Sequence, residues 1–224
     1  MNSLELFKTQ KFYQIDISIL KDLGYDVLLS NRIFDSLLFW KYDILFSYFY
    51  RYSFFAALLA KCFGKKTYFT GGIDSLDSDY ASAFNYKIQA LFFKLCYWVA
   101  DSCIIVSQSD LKNIFKVSSL KKKLSYSEHV INTKLFIADV PKEKIFTSIV
   151  WMGDEGNVVR KGVDKALQIF AELKKIPEFV DYRFVIIGRK GEGEVLVRSI
   201  IDKYNLKGSV ELKGEVSEED KINL

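Results

Sequence analysis

The sequence predicts an α/β protein built as two units, each with a parallel sheet covered by helices. Three observations carry this. Short apolar runs of strand length alternate with amphipathic stretches of helical period along the whole chain, the rhythm expected of parallel strands joined by helical crossovers. The rhythm breaks once, at LFIADVPKEKIF (135–146), which holds one of only two prolines and a cluster of charges. The density of aromatic residues also changes there, since 28 of the 35 Phe, Tyr and Trp precede residue 141. The units are therefore drawn at 1–140 and 141–224, and half of the 224 residues are apolar, enough for a substantial core.

The first unit opens on QKFYQIDISILKDL (10–23), where Phe12, Ile15, Ile19 and Leu23 recur at helical spacing. Gly24 follows where a left-handed C-terminal residue belongs. DVLLS (26–30) and YDILFS (42–47) read as strands, FFAALLAKCFG (54–64) as a helix stopped by Gly64, and KTYFT (66–70) as another strand. Beyond Gly71, Gly72 and the polar loop IDSLDSD (73–79), a long apolar helix spans about 81–100. The strand CIIVS (103–107) and a helix capped by Ser109 come next.

The second unit restarts the alternation. TSIVWMG (147–153) is a strand and loop, GVDKALQIFAELKKI (162–176) a helix, YRFVIIG (182–188) a strand and GEVLVRSIIDKYNL (193–206) a helix. SVELKG (209–214) is a strand, and SEEDKINL (217–224) begins a helix with Ser217 as cap and acidic residues in its first turn.

Charge and composition exclude several functions. The net charge of +4 lies wholly before residue 141, where 17 Lys and Arg face 13 Asp and Glu, against 15 and 15 beyond it. That excess is too small, and too little organised into a basic and aromatic stripe, for a nucleic-acid partner. The run Lys121, Lys122, Lys123 reads as a solvated loop. The apolar region 37–63 is interrupted by Lys41, Asp43 and Arg51, so no membrane span is expected. The N-terminus lacks the continuous apolar stretch of a signal peptide. Cys62, Cys96 and Cys103 sit in apolar runs without metal spacing, read as small buried hydrophobes in a reducing, cytoplasmic setting, with no metal site. A serine hydrolase is excluded by the lack of a G-x-S-x-G elbow. His129 is the only histidine, so no mechanism needing two is available, and its neighbour Glu128 does not make it a general base. The aromatic and cationic first unit suits a membrane interface, and core burial explains the same residues.

The most informative stretch is WMGDEGNVVRKGVDKALQIFAELKK (151–175), which joins a strand end, a loop, the basic pair Arg160 and Lys161, Gly162 and an amphipathic helix. A helix start offers unpaired N–H groups and partial positive charge, glycine admits a ligand to the backbone, and Arg with Lys neutralises a diphosphate. A solvent-exposed cap would have the same residues. Gly71 and Gly72 with Asp74 follow a strand and either border a ligand cleft or form an ordinary turn.

From residue 148 on, the order IVWMG, RKGVDKAL, YRFVIIG, IIDKYNL and SVELKGEVSEED resembles the C-terminal domain of the family 4 (group 1) retaining glycosyltransferases, which have the GT-B fold of two Rossmann-like domains facing a cleft. ADSCIIVSQSDLKNIF (100–115) is similar to that family's strand, serine and helix, and EHVINTKLF (128–136) to its approach to the interdomain crossing. The resemblance implies transfer of a sugar from a UDP- or GDP-sugar, with Arg160 and Lys161 on the leaving diphosphate and no required cofactor or metal. It places Gly153, Gly162, Gly188, Val210 and Gly214 on the donor side and Ser107 on the acceptor side, where their position after a strand would also put Gly71, Gly72 and Asp74. The acceptor is expected to be a glycan or a lipid-linked sugar, with the first unit in peripheral contact with the inner face of a membrane. Three departures stand out. Asp154 follows Gly153 where the family carries a basic residue, the chain opens on the helix at residue 10 rather than on a strand, and the Glu-x7-Glu motif is expected beyond residue 224, leaving the second unit incomplete. A nucleotide-sugar epimerase of the same fold, or a non-catalytic module binding a nucleotide or a partner, fits the same residues.

Overall fold

Two parallel sheets organise the chain, one in each of the units Met1–Ile131 and Asn132–Leu224 into which it divides. The computed structural model describes residues 4, 7, 10–73, 76, 77, 81–117, 122–131, 133 and 141–222.

In the first unit β1 (Ile44–Tyr48), β2 (Lys66–Thr70), β3 (Ser102–Ile105) and β4 (Leu124–Tyr126) pair in the order β1-β2-β3-β4, all parallel. Parallel neighbours need a long crossover, and the helices supply it. They are α2 (Ser53–Cys62), α3 (Ala83–Val99) and α4 (Gln108–Val117), preceded by α1 (Lys11–Asp22). The helix α1 stops as its sequence implies. Gly24 takes φ +86°, and the N–H groups of Gly24 and Tyr25 return to the carbonyls of Lys21 and Leu20. Its Asp16 accepts a 2.7 Å hydrogen bond from the Tyr48 hydroxyl on β1, and burial together with that carboxylate raises the Tyr48 phenol above its ordinary pKa.

The core of this unit joins Tyr50, Phe69, Phe93, Cys96, Val99, Cys103, Ile105 and Ile114. Its polar atoms are satisfied, the Tyr50 hydroxyl by the Ile104 carbonyl and the Tyr50 carbonyl by the Cys96 thiol. Burial pushes the Cys103 thiol up to about 12, partly opposed by Lys123, and raises Cys96 likewise. Both are inert packing thiols. Cys62 departs from the expectation: it lies in the last turn of α2 and is exposed.

In the second unit β5 (Ile145–Ile149), β6 (Arg183–Ile187) and β7 (Val210–Gly214) form a parallel sheet in that order. Here α5 (Glu155–Arg160) and α6 (Val163–Leu173) connect β5 to β6, α7 (Gly193–Lys203) connects β6 to β7, and α8 (Glu218–Ile222) follows. Leu167, Phe170, Phe184, Ile186, Val197 and Ile201 fill the space between helices and sheet. Ser217 caps α8 through a 3.0 Å bond from the Asp220 N–H, as its position in the sequence implies.

Four local expectations are corrected. DVLLS forms no strand: it has no ladder partner, and Leu28 and Leu29 are exposed. β4 was not foreseen, because three residues after a lysine run carry too short a pattern, yet its pairing with β3 completes the sheet. The cap of α4 is Ser107 rather than Ser109, since the Ser107 hydroxyl accepts the Asp110 N–H at 3.0 Å. Finally, α5 occupies what reads as a loop, so Arg160 ends one helix instead of starting another.

Candidate functional site: the C-terminal edge of the second sheet

The strands of the second unit are parallel, so the segments leaving β5, β6 and β7 emerge along one edge, where ligands of open α/β sheets collect. These segments interlock through the backbone. The Val150 N–H bonds the Ile187 carbonyl at 2.8 Å, Met152 bonds Arg189 at 3.0 Å, and Gly188 bonds Gly214 at 2.8 Å. The N–H groups of Glu192 and Gly193 return to the carbonyls of Gly153 and Met152 at 3.1 and 3.2 Å. The approach is close enough to require glycine. A Cβ on Gly188, at φ +140°, would lie 1.9 Å from the Val150 oxygen, and one on Gly191 would lie 2.4 Å from the Met152 oxygen. One on Gly193 would meet the Asp154 oxygen at 2.4 Å. Gly153, Gly188 and Gly214 are thus brought together.

Val210 is not among them. It opens β7 opposite Phe184 at the start of β6, packs against the core, and lies four residues, about 13 Å, from Gly214 at the other end of the strand. Its side chain faces the interior instead of the edge.

Cationic side chains surround this edge. Arg189 holds its guanidinium 5.7 Å from the centre of the Trp151 indole, which is itself 56% exposed and folded over Gly153. Lys190 follows directly, with its Cε 3.5 Å from the position a Cβ on Gly214 would take. Arg160 reaches the same edge through Asn157: its Nη2 donates to the Asn157 Oδ1 at 2.8 Å, and the Asn157 Nδ2 donates to the Trp151 carbonyl at 2.9 Å. Arg189 and Lys190 were missed in the sequence. The signal was there, since GRKG repeats after β6 the pairing of glycine with two basic residues that marks RKG before α6.

The structure changes the local meaning of the basic pair. Arg160 is the last residue of α5 and Lys161 its cap, with the Lys161 N–H bonded to the Asn157 carbonyl. Gly162, at φ +69°, turns the chain so that α6 starts at Val163, and its carbonyl accepts the first helical bond, from Ala166. The pair therefore stands between a helix end, whose dipole favours cations, and a helix start, whose dipole favours an anion. Asp154 is the N-cap of α5, accepting the Asn157 N–H at 2.7 Å, which accounts for an acid where a base is usual in the resembled family. In the first turn of α6, Asp164 keeps one carboxylate oxygen buried and unpartnered among the described residues, an acceptor for which a ligand donor would be favourable.

In the first unit Gly71 and Gly72 leave β2 and Ser107 leaves β3, so these three share the C-terminal edge of their own sheet; Asp74 lies outside the described residues. Gly71, at φ +109°, lies against Phe49, whose N–H bonds the Thr70 carbonyl at 2.8 Å and which itself takes φ +67°. Ser107 is engaged as the α4 cap and shares a 2.8 Å hydrogen bond with Ser109. His129 is exposed beside the Phe12 ring, while the Glu128 carboxylate accepts the Tyr126 hydroxyl. Among the described residues no group of His, Cys, Asp or Glu could hold a metal ion, and no helix is long and apolar enough to cross a membrane.

Residues 156–224 match the family model described as glycosyl transferases group 1. No curated protein sequence matches the chain. Among solved structures, Anabaena HepE in complex with UDP is similar at a TM-score of 0.64 and 12% identity, over 82% of this chain and 51% of that one. HepE in complex with UDP-glucose is similar at 0.59 and 12%, over 90% of this chain and 58% of that one. A mutant of S. aureus TarM, in complex with fondaparinux, alpha-GlcNAc-glycerol and UDP, is similar at 0.53 and 17%, over 73% of this chain and 31% of that one. The chain thus spans about a third to somewhat over half the length of these structures. The chain has the α/β architecture of GT-B glycosyltransferases over part of their length, and its residues 156–224 are similar to the group 1 glycosyl transferases.

Proposed function

We propose that the second unit holds the nucleoside-diphosphate part of a sugar donor, in a glycosyltransferase that transfers that sugar with retention. The observation that carries the reading is the group of Arg160, Arg189 and Lys190 around the interlocked glycine segments, with Lys161 next to Arg160 in the chain, all four within the residues matched by the family model. As the glycosidic bond breaks, negative charge grows on the diphosphate leaving group. Fixed cations and helix-start N–H groups stabilise that charge more in the transition state than in the ground state. Basic side chains can fill this role without a metal. A UDP-sugar is the preferred donor, in line with the UDP and UDP-glucose complexes of HepE. Gly162 and Gly214 contribute open backbone, and Gly153 and Gly188 contribute by packing. The first unit takes the acceptor, a glycan or a lipid-linked sugar at the inner face of a membrane, along the edge that carries Gly71, Gly72 and Ser107.

Calorimetry with UDP, UDP-glucose and GDP tests this reading. UDP and UDP-glucose are expected to bind, and Arg189→Ala or Arg160→Ala to weaken binding by roughly tenfold to a hundredfold, the value of a charge-assisted hydrogen bond. A chain that binds none of the three nucleotides rules the reading out. Donor turnover without acceptor would favour epimerase chemistry, and binding with no turnover under any acceptor would favour a non-catalytic module.

A further inference from the structure

The sheet of the first unit has a second edge, formed where its strands begin, and it carries a different chemistry. Because β1 to β4 are parallel, the segments entering them lie along one side: residues 39–43, 63–65, 98–101 and 122–123. Phe39, Trp40, Phe63 and Trp98 sit there. The Phe39 ring stacks on Phe63 with centroids 4.3 Å apart and meets Trp40 edge-on at 5.2 Å. Two of the three tryptophans of the chain are thus on this edge, and they are 66% and 70% exposed, although an indole is among the most favourable side chains to bury.

The same edge is basic. Lys41, Lys61, Lys65, Lys66, Lys122 and Lys123 stand on it with only two acids, Asp43 and Asp101. Both acids are already engaged, Asp43 by Lys65 at 3.1 Å and Asp101 by Lys61 at 2.7 Å. Lys123 donates to the carbonyls of Tyr97 and Trp98 at 3.2 and 3.0 Å, which closes α3 and fixes Trp98 at the edge. Lys41, Lys66 and Lys122 form no ion pair among the described residues.

We propose that this edge docks on an anionic lipid surface, with Trp40, Trp98 and the Phe39–Phe63 pair entering the headgroup region and the lysines facing lipid phosphates. Exposed tryptophan ringed by lysine suits a bilayer interface, where the ring has an apolar side and a wet side and each cation meets a negative surface potential. A protein partner fits less well, because lysine is depleted from the cores of protein interfaces. The placement also leaves room for a glycan acceptor: Phe49, Gly71 and Ser107 lie beyond the opposite ends of strands of four or five residues, roughly 13 to 17 Å away, so the docked unit keeps that edge clear. None of this depends on the donor site of the second unit.

Flotation of the full chain with vesicles of phosphatidylglycerol and phosphatidylcholine, compared with phosphatidylcholine alone, tests the proposal. Binding is expected only to the anionic vesicles, weakening steeply with salt, with a blue shift of tryptophan emission that Trp151→Phe retains and the double variant Trp40→Phe with Trp98→Phe loses. Trp40→Ala with Trp98→Ala should weaken binding about tenfold, and Lys41→Glu with Lys66→Glu and Lys122→Glu should abolish it. All five side chains are on the surface, and circular dichroism checks that the variants stay folded. Equal binding to neutral vesicles, no binding to anionic ones, or binding unmoved by both sets of variants would overturn the proposal. Capture by polyuridylate RNA without capture by vesicles would also overturn it.

Discussion

At the C-terminal edge of each sheet the chain solves the same problem, how to leave a parallel strand and enter a helix, with different materials. In the second unit the exits are backbone against backbone, with Gly188, Gly191 and Gly193 removing every Cβ that would keep the segments apart. In the first unit the exit of β2 is looser and mixed, for Gly71 lies against both the ring and the backbone of Phe49, whose Cδ1 and N would each be 3.3 Å from an added Cβ. A backbone lattice is rigid and presents N–H groups and fixed cations at defined places, which suits the constant part of a donor such as a diphosphate. An edge finished with aromatic side chains can vary without disturbing the sheet. The difference teaches that the exits of the second unit are specified by what is missing from its glycines, and that of the first largely by what the Phe49 side chain adds.

The largest expected effect is at Gly188. A Gly188→Ala methyl has a carbonyl oxygen 1.9 Å away and a φ of +140° that L residues avoid, so neither side can yield without breaking the ladder between Val150 and Ile187. Destabilisation of roughly 4 kcal/mol or more is expected. Gly71→Ala meets the ring and N of Phe49 at a looser 3.3 Å and pays chiefly for its own φ of +109°, which should cost about 2 kcal/mol. Urea unfolding of the two variants measures the contrast, and equal losses would erase the distinction between a backbone lattice and a looser, mixed contact.

Much of this architecture is legible in the residues themselves where a local rule applies. Gly24 and Gly64 end helices with positive φ, Ser217 begins one, and the alternation of runs gives both parallel sheets. What was hidden depends on contacts distant in sequence. EGNVVR is too short, and too broken by Gly156, to announce α5, so Asp154 looks like a misplaced charge until its cap bond to Asn157 is seen. Ser107 and Ser109 are equivalent in the sequence, and only the geometry of the first turn chooses Ser107. The candidate site was half legible: Arg160 and Lys161 stand out beside Gly162, whereas Arg189 and Lys190 matter because β6 is the central strand and its exit lies between the other two. Val210 and Gly214 stand together in one short motif, yet a strand carries its residues to both of its ends and only the pairing with β6 separates the two.

The two caps offer a finer test. Asp154→Ala and Ser107→Ala each remove the oxygen that accepts an N–H in a helix's first turn, at 2.7 and 3.0 Å, and each should cost about 1 kcal/mol. Their effects on ligand should differ. Asp154 holds the turn that carries Asn157, and Asn157 ties Arg160 to the Trp151 carbonyl. Asp154→Ala should therefore weaken UDP binding several-fold, and Ser107→Ala should leave it unchanged. Calorimetry on both variants, after a melt to confirm the fold, reads the split; equal UDP affinity in the two would detach Arg160 from the site.

The smallest effect is a dependence on pH that belongs to the first unit. Burial raises the Asp101 carboxyl, but the Lys61 ammonium at 2.7 Å and the Thr67 N–H at 2.8 Å outweigh it and hold the group below the ordinary carboxylate value of 3.8. A folded pKa below the unfolded one means that the folded state binds fewer protons as the group titrates. The stabilisation is therefore complete above the unfolded value and is lost as pH falls through the folded one. With 36% of the side chain exposed, solvent screening limits it to about 1 kcal/mol. Asp101→Asn should remove that much stability at neutral pH and flatten the acid limb of a stability profile taken from pH 6 to about pH 2.5. An unchanged acid limb would show that Lys61 and Thr67 hold the carboxylate no better in the folded chain than water does in the unfolded one.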